Sequence, residues 1–87
     1  MEVILLKNNR RLMGKTYIHI GKEIHNELLN QQKSVLWLSQ QLGCNRTNIY
    51  NIFIRESIST DLLLKVSIAL KKDFFALYTK LYKESTK

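Results

Sequence analysis

SVLWLSQQLGCNRTNIYNIFIR, Ser34 to Arg55, is the stretch whose reading decides the fold. Val35, Leu38 and Leu42 fall at i, i+3 and i+7, which puts them on one face of a helix and leaves Ser39, a small residue, where a second helix can approach closely. Gly43 then ends that helix, because a residue without Cβ takes the left-handed conformation at little steric cost. Asn45 can cap the next helix, its side-chain oxygen accepting from the N–H of Thr47 or Asn48. In this second helix Ile49, Ile52 and Phe53 form the inward stripe. Thr47, Tyr50, Asn51 and Ile54 share the opposite face, with Arg46 beside them at the first turn.

Working outward, 87 residues leave room for one domain, whose core must draw on nearly all of its apolar side chains. A composition of 45% hydrophobic and 24% charged residues is that of a folded chain, and the absence of Pro with only three Gly favours helices joined by short connections. One Cys permits no internal disulfide, which fits a reducing, cytoplasmic compartment. No apolar run reaches the length of a membrane span, and the opening MEVILLKNNRR sets its apolar run before its basic residues, the wrong order for a secretory signal. Fourteen Lys and Arg against seven Asp and Glu give a net charge of +7, an attraction to polyanions that gains meaning only beside a helix pair of suitable shape.

That pair exposes Asn, Arg, Thr, Tyr and Asn, with no acid between Leu28 and Arg55, a face suited to a DNA major groove. The glycine turn, the small residue four positions before it, and the apolar residues six and nine positions after it resemble the lambda-repressor-like, or phage-repressor, helix-turn-helix family. The resemblance covers residues 18–82. It implies an all-α, five-helix lambda-repressor-like DNA-binding domain over 17–84 with the helix-turn-helix at 34–55, a short basic N-terminal extension over 1–16 and a tail over 85–87. Its function would be that of a transcriptional regulator binding specific double-stranded DNA as a homodimer, without cofactor or metal.

Carried over by position, Arg46, Thr47 and Asn51 look like the base-reading set, flanked by Asn45 and Tyr50. Arg pairs with guanine through its fork, Asn can bond adenine twice, and the Thr methyl can touch thymine. Arg46 could instead grip a phosphate, and Asn45 could be purely a cap. Lys33 and Ser34, at the start of the first helix of the pair, are phosphate-contact candidates, since unpaired N–H groups and the positive dipole end attract an anion. The alternative for them is a plain cap and a solvated lysine. Arg55 and Ser57, after the second helix, look like backbone-positioning residues. Two positions depart from the pattern: Ile54 is apolar on the outward face, and Cys44 sits in the turn as a small half-buried filler.

Residues 1–16 hold an apolar patch, Val3 to Leu6, then Lys7, Arg10, Arg11 and Lys15, which reads either as an arm following DNA or as a solvated tail. A helix is expected from about Ile18 to Gln31, with Ile20, Ile24 and Leu28 inward and Tyr17 and Gln31 extending the stripe. His19 and His25, six apart, fall on different faces with no Cys or carboxylate completing a metal set. Trp37, adjacent to the core stripe, is expected to pack half-buried. Ser59 should cap a further helix, with Ile58 and Leu63 as a hydrophobic staple and Leu62, Val66, Ala69 and Leu70 inward. Lys71 and Lys72 suit its C-terminal end. Asp73 should cap a last helix, DFFALYTKLYKE, whose aromatic surplus closes the domain or forms a homodimer contact. No arrangement for catalysis is visible. An antitoxin-type autoregulator, or a helical bundle that binds protein rather than DNA, are the alternatives.

Overall fold

The computed structural model describes residues 17–86, which form five helices and no strand: α1 (Ile20–Asn30), α2 (Val35–Leu42), α3 (Arg46–Phe53), α4 (Thr60–Leu70) and α5 (Phe75–Ser85). The expected basic arm over 1–16 lies outside the described residues. None of the described helices is long and apolar enough to cross a membrane.

Helical spacing of apolar residues builds the core. Ile20, Ile24 and Leu28 of α1, Leu38 of α2, Ile49, Ile52 and Phe53 of α3, and Leu63, Val66 and Leu70 of α4 meet in one cluster, closed by Phe74. Each such burial is worth about 1.5–3 kcal/mol. Val35, Trp37, Leu42, Ile58, Leu62 and Ala69 pack half-buried against it. Ser39 is buried with its hydroxyl donating to the Leu36 carbonyl at 2.7 Å, so the small residue enters the interior with its polar atom satisfied. α1 packs on α3 and α4, and α2 on the same two helices.

Four helices start on side-chain caps. Ser34 Oγ accepts from Trp37 N, Asn45 Oδ1 from Asn48 N, and Ser59 Oγ from Leu62 N, as the sequence indicates. α1 starts at Ile20 rather than Ile18, because His19 Nδ1 accepts from Lys22 N at 3.1 Å and takes the cap position. Tyr17 therefore precedes the helix and is exposed, not part of the inward stripe. Gln31 follows the helix, and its amide donates to the Leu70 carbonyl at 2.7 Å and to Glu27 at 2.8 Å, binding the end of α1 to the end of α4. Lys72 stands 3.8 Å from Glu27 at the same junction.

Three helices also finish alike. At the ends of α1, α2 and α4 the chain turns through a left-handed residue: Gln32 at φ 57°, Gly43 at φ 69° and Lys71 at φ 53°. Two successive N–H groups turn back on the last carbonyls, Gln32 to Leu29 and Lys33 to Leu28, Gly43 to Gln40 and Cys44 to Ser39, Lys71 to Ile68 and Lys72 to Ser67. This paired closure satisfies carbonyls that a helix end otherwise leaves open.

Gly21 fixes the approach of α1 to α3. A Cβ there would fall on the Ile52 and Phe53 carbonyls, 2.6 Å from the Phe53 carbonyl carbon. The space is taken because Ile20 N and Gly21 N donate to the carbonyls of Glu56 and Arg55, both at 3.0 Å. The first turn of α1 thus supplies free donors to the chain leaving α3.

The last helix departs from expectation at its start. Asp73 does not cap it: the cap position is Phe74, with no side-chain bond. Phe74 is fully buried, and drawing that ring inward sets the backbone so that only the Asp73 carbonyl is used, accepting from Ala76 N at 3.3 Å. α5 itself has no buried residue. Tyr78 is 37% and Tyr82 67% exposed, and desolvation raises the pKa of the Tyr78 phenol above its ordinary value.

Candidate functional site

The site grows from α3, whose inner face is fixed by Ile49, Ile52 and Phe53. At about 100° per residue, Arg46, Tyr50, Thr47 and Asn51 then cover an arc of about 140° on the other side. All four are exposed, as is Ile54 at 77%. No carboxylate belongs to the stretch from Leu29 to Ile54, so the face is polar and basic with no internal acid to neutralise it.

Two contacts orient this face. Asn45 Oδ1 accepts from the Asn48 N–H at 3.0 Å, so the cap role is realised while its side-chain NH2 stays available to another partner. Tyr50 meets Phe53 edge to face, centroids 6.2 Å apart, and Phe53 in turn stacks on His25 at 4.2 Å. His25, for which the sequence suggests a surface or half-buried place, thereby supports the ring that steadies Tyr50.

The proposed residues do not form one cluster. Asn51 and Arg55 line an open groove of about 270 Å³ together with Asn48 and Lys65, over a floor of Cys44, Ile52 and Leu62. Arg46, Thr47 and Tyr50 lie outside that lining. Ser57 is exposed in the loop after α3. Lys33 and Ser34 sit at the start of α2, Ser34 as its cap and Lys33 with Nζ 4.4 Å from the centre of the Trp37 ring. The bland and the functional uses of these residues are thus both present in the geometry: each cap is made, and each side chain still reaches solvent.

Asn48 and Lys65 were not singled out by the sequence. Asn48 carried a signal, three positions before Asn51 and so on the same side of α3. Lys65 carried none, since it reaches the groove only through the packing of α4. Cys44 is a free, half-buried thiol in that floor. Among the described residues no three His, Cys, Asp or Glu side chains gather to hold a metal.

No family model, no curated protein and no solved structure matches the chain.

Proposed function

We propose that this chain is a small, non-enzymatic transcriptional regulator of the lambda-repressor-like helix-turn-helix kind, which binds specific double-stranded DNA with α3 in the major groove. The observation that carries the reading is the division of α3: three buried residues hold one side while Arg46, Thr47, Tyr50 and Asn51 stand exposed on the other. A rigid helix with an open hydrogen-bonding face is what base recognition needs. Arg46, Thr47 and Asn51 read bases, with Asn45 and Tyr50 at their sides. Lys33, Ser34, Arg55 and Ser57 hold phosphates, and Asn48 and Lys65 join Arg55 and Asn51 along the neighbouring groove. The net charge of +7 supports the sequence-independent part of the affinity.

A homodimer through α5, acting in the cytoplasm, completes the proposal. A helix with no buried residue and Tyr82 largely exposed has aromatic area to give to a second copy. Two copies double the length of DNA that one short helix reads.

Selection of bound fragments from random duplex DNA, followed by anisotropy titrations on the selected site, tests the reading. Affinity should fall steeply with salt, in proportion to the phosphates contacted. Arg46→Ala should cost about 1–3 kcal/mol on that site and relax preference at one base position. A loss equal on all sequences reassigns Arg46 to a phosphate. No duplex binding at low salt ends the DNA reading.

A further inference from the structure

We propose that the open groove between α2 and α4 docks an acidic amphipathic helix of another protein, a partner distinct from DNA on a surface that shares only Lys33 and Lys65 with the residues assigned to duplex binding. The groove measures about 680 Å³, within the range of about 300–1,000 Å³ that ligand sites occupy. Trp37 and Leu42 form its floor from α2, Ile68 and Ala69 from α4. Ile68 is 67% exposed, and Leu64, one turn earlier on the same helix, is 49% exposed. An isolated apolar side chain at the surface is ordinary, but here Ile68 adjoins a tryptophan in a concave site, with Leu64 one turn beyond its lining.

The rim decides the occupant. Lys33, Lys65 and Lys71 line it, and no carboxylate does. Glu27, the acid that meets the end of α4, is already engaged by Gln31 and Lys72. An apolar floor edged by like charges fits a helix that offers leucine-type side chains along one stripe and carboxylates beside them. Residues 1–16 of the chain fit poorly, with Lys7, Arg10, Arg11 and Lys15 against Glu2 alone. A second copy carries +7 and fits poorly for the same reason. Duplex DNA would meet the lysines but offer nothing to the Trp37 and Ile68 floor. The Lys33 ammonium over the Trp37 ring holds that ring in place before any partner arrives, which lowers the ordering cost of binding.

The test uses the full chain and three synthetic peptides of about 18 residues: one with leucines on a single helical stripe and glutamates elsewhere, one of the same composition with the leucines scattered, and one with lysines for the glutamates. Trp37 is the only tryptophan, so its emission reports occupancy of the groove directly. The striped acidic peptide should bind saturably with a change in Trp37 emission, and the scattered peptide at least about tenfold more weakly. Ile68→Asp should weaken the striped peptide by about tenfold while the unfolding midpoint and duplex affinity stay in place. Lys65→Glu with Lys71→Glu should shift preference toward the lysine peptide. Equal binding of striped and scattered peptides, or no effect of Ile68→Asp, overturns the proposal. So does tighter binding of a peptide of residues 1–16, or self-association of the chain that Ile68→Asp abolishes. Peptide binding that persists when duplex binding fails separates this inference from the DNA reading.

Discussion

Helix α3 is eight residues long and has three buried side chains, whereas α5 is eleven residues long and has none. The shorter helix is the better held, on its inner side by the core and at its end by α1, through the carbonyls of Arg55 and Glu56. The longer one is held by Phe74, a buried ring just ahead of it, and by Phe75 and Leu77, which pack only half-buried against the core. Anchoring rather than length therefore decides which helix can present side chains in a fixed geometry. An element that contributes little to its own core has surface to spare for a partner.

Phe74→Ala gives the widest separation between the two helices. It should cost about 3–5 kcal/mol in urea unfolding, while Tyr82→Ala, on α5 itself, should stay within about 0.5 kcal/mol at concentrations where the chain is monomeric. Similar losses for both would show that α5 belongs to the core after all. Gly21→Ala addresses the other side of the comparison. The added Cβ must push α1 off the Ile52 and Phe53 carbonyls at a cost of about 3 kcal/mol, which leaves a net loss of about 2 kcal/mol once the helix-favouring gain of Ala, about 1 kcal/mol, is set against it. Circular dichroism melts would register the change, and an unchanged midpoint would mean that α3 is not held from this side. The last substitution gives a gain. Lys71→Gly relieves a left-handed residue at φ 53° and should stabilise the fold by about 1 kcal/mol, raising the urea midpoint at constant slope. A loss instead would show that the Lys71 side chain matters to α4 more than its backbone strain does.

Lys71 also marks how far the sequence could be read. The end of α2 is legible because Gly43 announces it. The ends of α1 and α4 use the same pair of backbone bonds with Gln32 and Lys71, and nothing in those side chains foretells a left-handed turn. Their conformation comes from where the chain must go next, which is a tertiary matter. Caps that act within three residues, at Ser34, Asn45 and Ser59, were open to inspection, as were the apolar stripes. Asp73 had the right chemistry and lost to the burial of Phe74, an interaction that local spacing does not weigh. In the candidate site, Arg46, Thr47, Tyr50 and Asn51 could be placed on one outward face from periodicity alone. The stacking of His25 under Phe53, the reach of Lys65 and the tight seat of Gly21 could not, because each joins segments far apart in the chain.

The bonds from Ile20 and Gly21 to the carbonyls after α3 have a consequence for anything attached to the chain. Tyr17 stands three residues ahead of Ile20, so covalent reach alone keeps it within about 11 Å of that helix start, where its neighbour Ile18 lines a cleft with Leu77, Lys80 and Leu81 of α5. A fluorophore or fusion partner grafted at Tyr17 would set out beside α5, the helix proposed to meet a second copy, and crowd it. One grafted at Thr86 would leave from the far tip of α5.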